Sequence, residues 1–171
     1  HSPGLNRINK LRSSLTPYNI NLIVVGSGLE SSCTDFFQIT QFDNFKVVLY
    51  NKEKYKSFGI SNFGKDLKAA NKFYNSSINK LTDLLDLKGI IIYSPFYSIV
   101  KTILKRNSNR LFIFADCGEL FNISKHYLIN GVNFQQFLFV NFLLPKLSGI
   151  IAQTPMWYKK ARKSKINKVY I

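Results

Sequence analysis

The sequence predicts an α/β fold with a doubly wound parallel sheet and helices on both faces. Short runs of β-branched residues recur along the chain, and helical apolar patterns lie between them. The runs are continuous rather than alternating, as expected for strands covered on both faces. Because parallel strands need crossover connections, this order indicates right-handed βαβ units. The 171 residues fit one domain of ordinary size.

Six segments have the composition of buried strands, being runs of apolar and mostly β-branched residues. These predicted strands span residues 22–25, 46–50, 90–93, 112–115, 150–152 and 168–171. The stretches 29–44 and 51–62 are more polar, and for them the sequence predicts loops around two weaker elements.

Helical patterns separate these strands. Leu5, Ile8, Leu11 and Leu15 recur at spacings of three and four, and Pro17 stops the pattern. The segment 134–147 is apolar nearly all round, which is typical of a buried helix. Further helices are predicted over 67–85 and 95–104, with one more that begins at Pro155.

The number of cysteines and the length of the longest apolar run exclude several protein classes. The two cysteines, Cys33 and Cys117, are too few for a disulfide-stapled scaffold, and a zinc site would consume both of them and both histidines. The longest apolar run, 137–144, is interrupted by Asn141 and falls far short of the roughly 20 residues of a spanning helix. The first residues lack the apolar segment of a signal peptide, so we expect a cytoplasmic location.

The net charge of +15 suggests an anionic partner, but which basic residues supply the charge decides what kind of partner fits. There are 19 Lys and only 5 Arg, and Lys, Asn, Ile, Phe and Tyr together supply 78 residues, all with A/T-rich codons. Proteins that recognise nucleic acids depend on the bidentate contacts of Arg. Because Arg is scarce in this chain, we expect no nucleic-acid partner. Genomic base bias could supply these lysines without any selected partner. Among anionic partners, loose attachment to a membrane surface is favoured over nucleic acid, since scattered Lys suffices for it.

A glycine turn directly precedes the first predicted helix. Gly4 would let a ligand approach the backbone, and the free N–H groups at Leu5 and Asn6 would face an anion together with Arg7. An ordinary connection is the alternative interpretation of this turn.

Two carboxylates follow the fourth predicted strand, where α/β proteins place ligands. Asp116 and Glu119 flank Gly118, which permits a sharp bend. One carboxylate could accept a proton or hydrogen bond from a substrate hydroxyl, or both could cap the next helix. Cys117 lies beside them, so its thiol pKa should be raised, and it is no nucleophile. His126 has the pattern of an ordinary helical residue.

Aromatic residues cluster near a basic run at the C-terminal end. The simpler interpretation is core packing; the alternative is an exposed apolar ridge that meets a membrane. The aromatic residues are Phe134, Phe137, Phe139, Phe142, Trp157 and Tyr158, and the basic ones are Lys159, Lys160, Arg162, Lys163 and Lys165.

In their order, these segments resemble the N-terminal domain of the family 4 type of retaining glycosyltransferases, whose GT-B architecture has two Rossmann-like domains. The matching segments are 4–11 (GLNRINKL), the strand at 20–25, 89–95 (GIIIYSP), 116–120 (DCGEL) and 146–154 (KLSGIIAQT). Together they cover almost the whole chain. The loop has one glycine where many members have two, and Ser148 and Gly149 stand where the family usually has Asp.

The resemblance implies the acceptor-side half of an enzyme that transfers a hexose from a nucleotide sugar to a glycan or lipid-linked acceptor, as in polysaccharide biosynthesis. Gly4, Leu5, Asn6 and Arg7 would line the cleft, and Asp116 and Glu119 would face the acceptor. Such enzymes need no bound metal or cofactor. The donor-binding domain, with its Glu pair at E-x₇-E spacing, is absent from residues 1–171, which read as truncated at both ends.

Two other functions remain open on the sequence. One is a free-standing doubly wound module that binds a small ligand or a partner without catalysis. The other is a basic nucleic-acid-binding protein, which predicts Arg and Lys concentrated on one face.

Overall fold

The structure is a computed structural model that describes residues 6, 9–11, 13–14, 16–18, 21–27, 37–42, 45–50, 63–84, 87–93, 95–107, 111–118, 131–164, 166 and 169–170. Its strands are β1 (Leu22–Ser27), β2 (Phe37–Phe42), β3 (Phe45–Tyr50), β4 (Gly89–Tyr93), β5 (Phe112–Cys117), β6 (Gly149–Ala152) and β7 (Val169–Tyr170). They form one sheet in the order β2-β3-β1-β4-β5-β6-β7. All neighbours are parallel except β2, which runs antiparallel to β3.

The predicted fold class is confirmed, and so are the six predicted strands. Residues 29–44, for which the sequence predicts polar loop around a weaker element, include the strand β2, which pairs along its full length with β3, from Phe37 opposite Tyr50 to Phe42 opposite Phe45. Its sequence, FQITQF, mixes polar and apolar residues, and Ile39 is exposed. An edge strand of this kind lacks the continuous apolar run that identifies a central parallel strand.

The helices are α1 (Phe63–Phe73), α2 (Asn79–Leu84), α3 (Tyr97–Asn107), α4 (Gly131–Leu138) and α5 (Pro155–Lys163). Asn6, residues 9–11 and residues 13–14 are also helical, followed by a 3₁₀ turn over Thr16–Tyr18. α5 begins as predicted, with Pro155 in its first turn and Thr154 as the N-cap, whose Oγ1 accepts a hydrogen bond from the N–H of Trp157 at 3.4 Å.

Two predicted helices contain a change of backbone register. Between α1 and α2 the chain is π-helical over Tyr74–Ile78, where the Ser77 hydroxyl donates to the Phe73 carbonyl at 2.6 Å. The prediction of one helix over 134–147 is also corrected. α4 passes into a π-helical turn over Phe139–Leu143 and a 3₁₀ turn over Leu144–Lys146. Pro145, which lacks an N–H, and side chains that bond to nearby carbonyls both disfavour a regular α-helical ladder.

Apolar side chains are buried on both faces of the sheet. On one face, α1, α3, α4 and α5 cover residues such as Ile23, Ile90 and Ile150. On the other, Val24 and Ile91 form a smaller cluster, against which Leu11 of the first helical segment packs. The sheet is therefore doubly wound, and ligands of such sheets bind at the carboxyl ends of the strands.

Candidate functional site

A row of paired residues crosses one face of the sheet near the carboxyl ends of the strands. The register aligns Gly26 of β1 with Tyr93 of β4, Tyr93 with Asp116 of β5, and Asp116 with Ile151 of β6. β1 pairs with β3 on one side and β4 on the other, so the direction in which strands are added reverses there. This is the topological switch point at which open α/β sheets form a ligand crevice.

Asp116 is the buried carboxylate of this row. Its side chain is 3% exposed and accepts a hydrogen bond at Oδ1 from Nε2 of Gln153, at 2.7 Å. Gln153 directly follows β6, and its backbone N–H donates to the Cys117 carbonyl at 3.1 Å. That backbone bond continues the β5–β6 ladder by one residue and places the exposed Gln153 side chain beside Asp116.

Gly118 leaves the space that this pair occupies. A Cβ added there would lie 3.3 Å from Oε1 and 3.4 Å from Nε2 of Gln153. These distances are tighter than ordinary van der Waals contact, so a larger residue would push the Gln153 amide away. Glycine at this position therefore serves the packing of Gln153, beyond the sharp bend predicted for it.

The chemistry of the pair fixes the orientation of the amide. A carboxylate oxygen accepts hydrogen bonds, so the Gln153 nitrogen faces Oδ1 of Asp116, and the amide oxygen is left to accept from another group. The exposed amide then offers one acceptor and one further N–H donor next to a buried carboxyl group. This arrangement suits an uncharged ligand with hydroxyl groups, which both donate and accept.

Cys117, between these residues, is chemically inert. Burial raises the pKa of its thiol far above the usual range, and the charge of Asp116 adds to the effect. The predicted direction is confirmed, although burial rather than the neighbouring carboxylate is the larger cause. The thiol is not an available nucleophile at neutral pH.

A second set of polar contacts fixes the N-terminus of α3, which follows β4 at the same edge. Oε1 of Gln135 in α4 accepts from the backbone N–H of Ser98 at 3.0 Å, and its Nε2 donates to Oδ2 of Asp66 in α1 at 2.8 Å. All three residues are buried. One glutamine thus links the first turn of α3 to a carboxylate on a different helix.

Of the predicted site residues, Asp116 lies within β5, one residue before its carboxyl end, and its role in a site stays a prediction. Asn6 is helical and exposed. Outside the described residues lie Gly4, Leu5, Arg7, Glu119 and His126. The expectation that Gly4 shares the edge of Asp116 therefore remains a prediction.

Sequence reasoning missed Gln153 as a site residue. The available signal was its position, directly after a predicted strand next to that of Asp116. Within the described ranges, no three His, Cys, Asp or Glu side chains come together as a metal site.

No family model matches the sequence, and no curated protein matches it. Solved structures are similar in fold. The α,α-trehalose 6-phosphate synthase from Burkholderia multivorans gives a TM-score of 0.50 at 12% identity, over 84% of this chain and 42% of that one. The UDP-forming enzyme from Burkholderia xenovorans, in complex with glucose-6-phosphate, gives 0.47 at 11% identity, over 86% and 43%.

This chain spans less than half the length of those synthases. At such low identity the similarity establishes the fold and leaves the activity open. The trehalose-phosphate synthases are glycosyltransferases of the GT-B architecture, so the chain has the Rossmann-like α/β fold that occurs in these enzymes.

Proposed function

We propose that this chain is the acceptor-binding, N-terminal domain of a retaining GT-B glycosyltransferase of the family 4 type. The observation that carries the proposal is the Asp116–Gln153 pair at the carboxyl edge, beside the switch point of a Rossmann-like sheet similar to one found in a GT-B enzyme. The acceptor is a glycan or a lipid-linked sugar of a cell-surface polysaccharide precursor, and the enzyme is of the hexosyltransferase type.

In this proposal Asp116 accepts a hydrogen bond from the acceptor hydroxyl that attacks the donor sugar. A carboxylate in that position increases the electron density of the oxygen as the new bond forms. The exposed amide of Gln153 meets the ligand first and aligns a second hydroxyl. Glu119 and the segment Gly4, Leu5, Asn6 and Arg7 contribute further contacts.

The donor nucleotide sugar binds outside residues 1–171 in this account. Residues 1–171 contain no pair of glutamates at E-x₇-E spacing, the donor-site motif of the resembled family. We therefore expect no sugar transfer when the 171-residue chain alone is incubated with nucleotide sugars and sugar acceptors. Turnover by this chain would be detected as release of nucleoside diphosphate. It would show that the donor does not bind outside residues 1–171, contrary to the proposal.

Binding measurements test the acceptor assignment directly. Isothermal titration of the chain with glucose, glucose 6-phosphate and short glycans should show weak binding of at least one sugar. Gln153→Ala should weaken it about 10-fold, in line with the loss of one or two hydrogen bonds to a hydroxyl. Gln38→Ala is the matched control, since Gln38 is also exposed but lies on β2 at the far edge of the sheet.

The outcomes separate this function from the alternative of a non-catalytic module. Sugar binding that Gln153→Ala weakens and Gln38→Ala does not would support the acceptor role. No binding of any sugar, together with binding of another class of small molecule at this edge, would favour the free-standing ligand-binding module.

The proposal also places the enzyme in the cytoplasm, attached reversibly to an anionic membrane face where a lipid-linked acceptor would be met. The charge of +15, supplied mainly by Lys, supports this location. Among the helices in the described part of the chain, none combines the length and apolar character that crossing a bilayer needs.

A further inference from the structure

Helix α5 turns a basic face away from the core. Trp157 and Ala161 are buried and fix its rotation about the helix axis. Trp157 is only 1% exposed and packs edge-on against Phe139, with 6.1 Å between the ring centroids. Trp157 therefore belongs to the core, and the interpretation that it forms part of an apolar membrane ridge is wrong. The core interpretation holds for Trp157 and Phe139, whereas Phe142 is exposed.

The outward side of α5 combines positive charge with one exposed apolar group. Lys159, Arg162 and Lys163 are exposed, Lys160 is half-buried, and the helix contains no acidic residue. Met156 is 49% exposed in the first turn. A groove of about 340 Å³ runs along this surface, lined by Met156, Tyr158, Lys159, Lys160, Arg162 and Lys163.

Arg162 is held in place on this surface. Its Nη1 donates to the Tyr158 hydroxyl at 3.0 Å, and the guanidinium carbon lies 5.8 Å from the centre of the Tyr158 ring. The hydrogen bond raises the pKa of Arg162 further, so the charge is permanent. A guanidinium fixed in this way loses less rotamer entropy when it binds an anion, and its remaining N–H groups match phosphate oxygens.

We propose that this α5 surface binds the phosphate of anionic lipid headgroups, with Met156 inserted among the headgroups. Charge complementarity supports a phosphate ligand, and the exposed methionine beside the cations supports a lipid surface. A nucleic acid fits less well, because the groove has one Arg and its one aromatic ring is already covered by that Arg. The inference extends the membrane part of the proposed function and is independent of sugar transfer, so the two fail separately.

Co-sedimentation with lipid vesicles tests the inference. Wild-type chain should bind vesicles of phosphatidylcholine with phosphatidylglycerol in a salt-sensitive way, and should bind pure phosphatidylcholine weakly. The triple variant Lys159→Gln/Arg162→Gln/Lys163→Gln should lose about 100-fold in affinity, given the contribution of each cation at an anionic surface.

The matched control removes the same charge elsewhere. Lys65→Gln/Lys68→Gln/Lys105→Gln changes three exposed lysines of α1 and α3 and should change binding by less than about 3-fold if the site is local. Equal losses in the two triple variants would overturn the inference, because net charge alone would then explain binding. Thermal melts of both variants should match the wild type, since all six side chains are exposed.

Two further binding measurements, one with a Met156→Ser variant and one with an oligonucleotide, identify the ligand. Met156→Ser should weaken binding to anionic vesicles by several-fold while leaving the affinity for inorganic phosphate unchanged, which separates a lipid surface from a free phosphate. Equal affinity of Met156→Ser and wild type for vesicles would overturn the insertion of Met156. Tight binding of a single-stranded oligonucleotide without binding to anionic vesicles would replace the lipid with a nucleic acid and overturn the inference.

Discussion

Replacing Gln135 with Leu tests whether one buried amide holds three helices together. The substitution removes the acceptor for the N–H of Ser98 and one donor to the carboxylate of Asp66. Leu has a similar volume, so no large cavity forms, and the effect reports mainly on the two hydrogen bonds. Ser98 is fully buried, which leaves its N–H without water to replace the lost bond.

The expected cost follows from the two groups. A buried N–H that loses its acceptor costs about 1–3 kcal/mol, and a hydrogen bond to a charged group is worth about 1.5–3 kcal/mol. Burial of the extra apolar surface of Leu returns about 1–2 kcal/mol. The free energy of unfolding should therefore fall by about 3 kcal/mol, within bounds of about 0.5 and 5 kcal/mol.

Urea unfolding followed by circular dichroism measures this loss. With a slope of about 2 kcal/mol per M, the midpoint should fall by about 1–2 M. Gln38→Leu, at an exposed position on β2, is the control and should change stability by less than about 0.5 kcal/mol. A loss below about 0.5 kcal/mol for Gln135→Leu would refute the reasoning, since it would mean that neither bond contributes to the folded state.

Three more substitutions or modifications have expected outcomes. Gly89→Ala should destabilise the fold by about 1–3 kcal/mol in urea unfolding, because the new Cβ would lie 2.8 Å from the carbonyl oxygen of Phe112; wild-type stability would contradict this steric account. Trp157→Ala should cost about 3–5 kcal/mol, and an unchanged melting temperature would show that the indole is not a core group. In a Cys33→Ser variant, Cys117 should resist iodoacetamide at pH 8 until urea is added, and mass spectrometry would detect any alkylation of the folded protein. Because burial raises the folded-state pKa of Cys117, its contribution to stability is complete below the unfolded-state pKa and falls by about 1.4 kcal/mol per pH unit above it; a flat profile at alkaline pH would contradict this.

The sequence identified secondary-structure elements correctly where the local pattern of apolar residues matches the burial of the element in the fold. The central strands are continuous apolar runs because helices cover both faces, and such runs were recognisable without the structure. β2 was harder to recognise, since an edge strand that mixes polar and apolar residues lacks such a continuous apolar run. The segment 134–147 was predicted as one helix because it is apolar nearly all round, and such a composition does not report a change from α to π register.

The candidate site was only half predictable for a related reason. Asp116 could be placed near the carboxyl end of a predicted strand, but its partner Gln153 lies 37 residues away. Gln135 and Asp66 are 69 residues apart. Contacts of this kind depend on how the elements pack, and single-sequence patterns carry no signal for which polar side chains then meet. The burial of Trp157 was likewise decided by the rotation of α5 against Phe139.

The most direct test of the central claim is to locate a bound sugar on the protein. The claim is that the carboxyl edge around Asp116 and Gln153 binds the hydroxyl groups of an acceptor. Two-dimensional NMR of ¹⁵N-labelled chain, titrated with the tightest-binding sugar, reports every amide at once. The account predicts saturable shifts at Tyr93, Asp116, Gly118 and the Gln153 side-chain amide. Saturable shifts confined to β2 and the outer face of α5, with none at this edge, would contradict it.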